Sequence, residues 1–117
     1  MKLNALVPMM ATENLDGTVA FYRDTLGFRS LSQSPEWACV ELDGVEIMFS
    51  LPNAHEPFTK PLFTGSFYFR VDNVDRFWAQ LKDRATVVYP IEDFPYGMRE
   101  FAIRDNNGYI LQFGSEI

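Results

Sequence analysis

One cysteine and one histidine are all that this 117-residue chain carries of two common metal ligands and nucleophile partners. Cys39 alone cannot close an internal disulfide, which points to a reducing, cytoplasmic compartment. A lone His55 cannot supply a two-histidine iron site within one chain. Long apolar runs are missing too: none approaches the roughly 20 residues that span a bilayer. The N-terminal Met-Lys-Leu-Asn-Ala-Leu-Val-Pro has only a short apolar stretch before Thr12-Glu13-Asn14, so no signal peptide is expected. Basic residues are few and scattered, 10 Lys and Arg against 16 Asp and Glu, and the net charge of −6 excludes a nucleic-acid stripe. What is abundant is apolar and aromatic: 47% hydrophobic residues and 11 Phe, enough for one folded domain with an ordinary core and too much for a disordered chain.

The apolar spacing divides the chain into strands and helices. Residues 3–11 are predicted to be a first strand, with Pro8 at an edge or bulge because it has no N–H to donate. Asn14 is the predicted N-cap of a helix over Leu15–Leu26, whose Leu15, Val19, Tyr22 and Leu26 share one face. Gly27 is its left-handed stop, and Phe28 folds back onto the last turn. Asp43-Gly44 joins a hairpin over 36–50; pairing Leu42 with Val45 puts Val40, Leu42, Val45, Ile47 and Phe49 on an apolar side and Trp37, Cys39, Met48 and Ser50 on the other. Pro52, Pro57, Pro61 and Gly65 make a linker that includes His55. Residues 66–71 are the next strand. Asp72 or Asn73 caps a helix through Val74, Phe77, Trp78 and Leu81 toward Arg84, 86–89 form a short strand, and Pro90–Gly97 form a loop.

The last hairpin holds two apolar runs, Phe101–Ile103 and Tyr109–Phe113, joined by Asp105-Asn106-Asn107-Gly108. With Arg104 opposite Tyr109, Ile103 faces Ile110, Ala102 faces Leu111 and Phe101 faces Gln112. Opposed residues share a side. Arg99, Phe101, Ile103, Ile110 and Gln112 are therefore expected together, a mixture suited to a ligand cavity and equally to a plain amphipathic outer face. Glu100 is expected toward the helix, or in solvent near the start of its strand.

The order is β-α-β-β(-β), a linker, and the same again. The two helices align at an offset of about 59, Leu15 on Val74 and Val19 on Trp78. At a slightly larger offset the hairpins align, with Val40 on Ala102, Ile47 on Leu111, Met48 on Gln112 and Phe49 on Phe113. The predicted fold is α+β: module 1 at about 1–52, a linker at about 53–65 and module 2 at about 66–117.

This repeat, together with Phe21-Tyr22-x-x-x-Leu26-Gly27-Phe28 and Arg104-Asp105-Asn106-Asn107-Gly108-Tyr109, resembles the glyoxalase / bleomycin-resistance / extradiol-dioxygenase (vicinal oxygen chelate) superfamily over essentially the whole chain. The resemblance implies two tandem βαβββ modules forming a curved mixed sheet around a cleft, commonly in a homodimer. It also implies a divalent metal held by four side chains in catalytic members. Carried over by position, those places are Val7, Met48, Ser66 and Gln112, of which only Gln112 suits the metals of this chemistry. No metal and no cofactor are therefore expected. The expected partners are a small organic ligand and a second copy of the chain.

The expected ligand-binding residues are Trp37, Met48, Tyr68, Arg99, Phe101 and Gln112. Their aromatic walls and the acidic chain suit a planar or cationic molecule, while Arg99 would pair an anionic group instead. The same aromatics would equally fill a closed core or a dimer interface. No catalytic residue is assigned: Cys39 lacks a neighbouring base, and Glu41 and Glu46 sit beside a turn. Sequestration of a small molecule, as in antibiotic-resistance members, is the first functional expectation. The alternative is a metal-dependent lyase, isomerase or dioxygenase.

Overall fold

The computed structural model describes residues 1–52 and 59–117, so His55 and much of the proline-rich linker lie outside the described residues. The chain divides into two compact units, Met1–Thr59 and Lys60–Ile117. The first runs β1 (Met9–Ala11), α1 (Leu15–Ala20), a π-helical turn (Phe21–Thr25), β2 (Arg29–Gln33), β3 (Trp37–Leu42) and β4 (Val45–Ser50). The second runs β5 (Phe67–Arg70), α2 (Val74–Leu81), β6 (Thr86–Phe94), β7 (Met98–Arg104) and β8 (Ile110–Glu116). Each unit is a four-stranded mixed sheet, ordered β1-β4-β3-β2 and β5-β8-β7-β6. In each, the first strand runs parallel to the last and the other neighbours are antiparallel. The α+β class and the βαβββ order are both present.

The helices start where a side chain satisfies a free N–H. Asn14 accepts from Gly17 N at 2.9 Å and Asn73 from Arg76 N at 3.2 Å, so the two halves use the same cap at equivalent positions. The first helical segment stops at Gly27, φ +86°, where Phe28 N donates to Tyr22 O at 2.9 Å. The Phe28 ring then meets Tyr22 edge-on at 5.6 Å. Leu15, Val19, Tyr22 and Leu26 are all buried, as their spacing requires.

Several boundaries differ from the sequence expectation. The first strand covers only Met9–Ala11, because the ladder begins just after Pro8, whose carbonyl still accepts from Met48 N at 2.8 Å. Helix α2 ends at Leu81, and a single turn carries the chain to Arg84. Strand β2 has no apolar alternation and is exposed throughout, so nothing in its pattern marked it. Strand β6 runs to Phe94 straight through Pro90, expected as loop. An edge position and two register shifts, between Val87 and Tyr89 and between Tyr89 and Glu92, make the proline tolerable there.

The first hairpin pairs Leu42 with Val45 and Cys39 with Met48 as expected. The second is displaced by one residue: Arg104 pairs with Ile110, Ile103 with Leu111, Ala102 with Gln112, Phe101 with Phe113 and Glu100 with Gly114. The cause is Asp105, whose carboxylate accepts from Asn107 N and from Tyr109 N, each at 2.9 Å, while Asp105 N donates to Tyr109 O at 2.9 Å. The loop thus extends through Tyr109. A one-residue slip exchanges the faces of a strand. Phe101, Ile103, Leu111 and Phe113 all point toward α2, where Phe101 packs on Trp78 at 5.2 Å and on Phe113 at 5.2 Å. Phe113 also stacks on Phe69 and Phe77. In the repeat, Val40 therefore matches Ile103 rather than Ala102, and the Met9–Met48 pair matches Tyr68–Gln112.

Candidate functional site

The face of the second sheet turned away from α2 carries Tyr68 on β5, Tyr89 on β6, Glu100 and Ala102 on β7, and Gln112 and Gly114 on β8. Glu100 lies at its centre and is 1% exposed. Tyr68 donates its hydroxyl to Glu100 Oε1 at 3.0 Å, and Tyr89 donates to Oε2 at 2.5 Å. Gln112 Nε2 donates to Tyr89 Oη at 2.7 Å and to Glu100 Oε2 at 3.3 Å. Ser66, just before β5, donates its hydroxyl to the Gln112 side-chain oxygen and so fixes the amide's orientation. Tyr96 stands in the turn between β6 and β7. Its ring stacks on Phe94 at 5.5 Å, and Phe94 meets Tyr89 edge-on at 5.6 Å.

A glycine makes this arrangement possible. A Cβ at position 114, directly across the ladder from Glu100, would lie 2.0 Å from the Tyr68 hydroxyl. Only a residue without a side chain lets the phenol cross β8 to reach the carboxylate. Gly114 also lines an open cavity of about 290 Å3 with Arg70, Asp72, Met98 and Glu116 at the end of the same strands.

Burial pushes the Glu100 carboxyl upward, but the hydrogen bonds from Tyr89, Tyr68 and Gln112, together with the nearby Tyr96 phenol, outweigh it and hold the group below the usual glutamate range. Burial, reinforced by the bond to Glu100, pushes Tyr68 up to about 12. Burial does the same for Tyr89, to about 12, against an opposing contribution from Gln112. The nearby Glu100 carboxylate, then burial, raises Tyr96 as well. Glu100 is therefore anionic at neutral pH and its phenols neutral. None of these groups is poised near pH 7, where a general acid or base works best. The arrangement is suited to holding charge in place.

Of the sequence-predicted residues, Tyr68 and Gln112 belong to this network. Trp37 and Met48 lie on the corresponding face of the first sheet, opposite Ser50 and Cys39 respectively. Phe101 and Arg99 do not face this way. The register slip buries Phe101 in the core, and it turns Arg99 to the helix side, where it pairs with Asp75 at 3.0 Å and Asp93 at 3.0 Å. Glu100 and Tyr89 were not singled out: the slip sent Glu100 to the other face, and Tyr89 fell in the predicted strand 86–89 with no partner to mark its face. The available signal was that the observed register gives an unbroken apolar side, Phe101, Ile103, Leu111 and Phe113, whereas the other splits those four.

The residues present do not suit the divalent metal that the resemblance implies. The Gln112 oxygen is already taken by Ser66, Val7 and Met48 offer no hard donor, and no cluster of three or more His, Cys, Asp or Glu occurs among the described residues. In the first unit, burial and then Glu46, 3.5 Å from Cys39 Sγ, raise the Cys39 thiol, which opposes nucleophilic use.

A sequence profile of the Glyoxalase/Bleomycin resistance protein/Dioxygenase superfamily matches residues 3–113. The chain belongs to that superfamily. Among solved structures it is similar to TioX from Micromonospora sp. ML1 (24% identity, 97% of this chain and 99% of that one, TM-score 0.80). It is also similar to the bleomycin-binding protein of Streptomyces verticillus in complex with copper(II)-bleomycin (22%, 100% and 99%, 0.76). A third is a lactoylglutathione lyase from Agrobacterium tumefaciens (20%, 96% and 92%, 0.74). A comparison with curated protein sequences finds no match. No helix among the described residues is long and apolar enough to cross a membrane.

Proposed function

We propose that this protein binds a small organic molecule against the outer face of its second sheet and releases it unchanged. The observation that carries the reading is Glu100, a buried anion held by two tyrosines and an amide. Aromatic walls supply apolar contact area and hydroxyls supply orientation, the composition of a ligand surface. Binding without turnover is supported by protonation states fixed away from neutrality and by the poor donor set at the family's metal positions. It is also supported by the bleomycin bound to the Streptomyces relative. We also infer a homodimer, which sedimentation velocity tests.

The test is calorimetry of native protein and Glu100→Gln with copper-loaded bleomycin, copper-free bleomycin and a set of planar aromatic compounds, followed by mass spectrometry of the recovered ligand. The expected result is saturable binding of an intact molecule, weakened at least about tenfold by the substitution, which removes a charge-assisted contact. A changed ligand mass, or equal affinity in both proteins, overturns the reading.

A further inference from the structure

We propose that the outer face of the first sheet holds a copper(I) ion between the sulfur atoms of Met9, Met48 and Cys39. The site lies on the other unit from the Glu100 network and does not depend on what that network binds.

The ladder sets the three side chains in one row. Met9 on β1 is opposite Met48 on β4, and Met48 is opposite Cys39 on β3. Opposed residues share a face. It is the face turned away from the helix, because their chain neighbours Met10, Val40, Ile47 and Phe49 are buried and Phe49 packs on Tyr22 at 4.8 Å. The register of β1 is pinned beside the row, where Met48 N donates to the Pro8 carbonyl at 2.8 Å. Opposed Cβ atoms lie about 4.5–5.5 Å apart, a gap that the flexible methionine side chain closes. In the second sheet the equivalent places are Tyr68, Gln112 and Ala102. Nitrogen and oxygen donors there give way to sulfur at all three places here.

The donor set decides the ion. Two thioethers and a thiolate are soft ligands that select copper(I) and suit the harder divalent ions poorly. The row is open at one end and closed at the other: Met9 is 59% exposed and Cys39 only 4%. An ion therefore enters over the thioethers and stops at the thiol. Cys39 Sγ donates to Glu46 Oε1 at 3.5 Å, so a carboxylate stands beside the cation's place. On binding, the Cys39 S–H bond breaks, a sulfur–copper bond forms, the proton leaves to solvent and the copper stays in the +1 state.

The test has two arms on the untagged full chain. Copper(I) is titrated without oxygen against a chromophoric chelator, and silver(I), an equally soft ion stable in air, is followed by NMR of the methionine methyl groups. The expected result is one ion per chain, with shifts at the Met9 and Met48 methyls and none at Met10 or Met98. Met9→Leu, Met48→Leu and Cys39→Ser should each bind copper(I) at least about tenfold more weakly, roughly 1.4 kcal/mol for one lost donor. Met9 is exposed and the leucine exchanges nearly conserve volume, so those two variants keep the fold. Binding lost in Cys39→Ser but unchanged in both methionine variants overturns the three-donor site and leaves a lone thiol. Equal competition by zinc(II) overturns the soft-ion assignment. No saturable binding, or shifts confined to Met1, overturns the proposal outright.

Discussion

Gly114→Ala is a one-carbon perturbation whose consequence can be worked from the structure. The new methyl would lie 2.0 Å from Tyr68 Oη, 2.8 Å from its Cζ and 3.2 Å from Glu100 Cβ. Ordinary contact begins at 3.4 Å, so the phenol must retreat by about 1.4 Å or the two strands must part. Tyr68 is 39% exposed, so its side chain is the part that moves. Retreat breaks the bond to Glu100 Oε1, and losing one hydrogen bond to a buried charged group costs about 1.5–3 kcal/mol. Urea unfolding should show a lower midpoint by that amount with an unchanged slope. Spectrophotometric titration should show one tyrosine moving from about 12 back toward 10.0. In a Tyr68→Ala background the same Gly114→Ala change should cost under about 1 kcal/mol, because only the Glu100 Cβ contact remains. A fully stable Gly114→Ala protein with an unaltered tyrosine titration refutes the geometry from which the site is built.

Further outcomes follow from the same structure. Glu100 is held below its ordinary 4.5, so the stability it contributes is complete above pH 4.5 and is lost as pH falls through its lower folded value; Glu100→Gln should flatten that acid limb in a pH series of unfolding curves. Tyr68 and Tyr89 run the opposite way, contributing fully below 10.0 and losing that contribution as pH rises toward about 12, so native stability should fall across that alkaline window. Asn14→Ala and Asn73→Ala should each cost about 1 kcal/mol in thermal or urea unfolding, the value of one N-cap. Phe101→Ala should cost about 3–5 kcal/mol, as loss of a buried ring between Trp78 and Phe113 requires. A ligand-binding role on the outer face would instead make that residue affect affinity more than stability.

The fold was largely legible because its punctuation is local. Asn14, Gly27, Asp43-Gly44 and Asn73 each act through one cap or one turn, and a reader of the sequence meets the whole cause within five residues. The repeat was legible because two helices and two hairpins recur at nearly constant spacing. The site was legible only in part, and one turn explains most of that. Asp43-Gly44 is a two-residue hairpin whose register follows from the residue types. Asp105 to Tyr109 is a longer loop whose register depends on a side chain accepting two backbone N–H groups, a choice that residue types alone do not impose. The resulting slip exchanged Phe101 for Glu100 on the candidate face. Strand β6 was cut short after Tyr89 for another reason: proline is usually a strand breaker, and only the edge position revealed by the sheet order lets Pro90 pass.

The central claim is that Glu100 and its tyrosines bind a ligand. The most direct measurement is a crystal structure of the protein grown with copper-loaded bleomycin, or with a planar aromatic compound that binds in calorimetry, compared with the unliganded crystal. The account predicts an intact ligand on the outer face of the second sheet, with a polar atom within about 3 Å of a member of the Tyr68, Tyr89, Glu100 and Gln112 network. Ligand density elsewhere, with that face untouched, would contradict it.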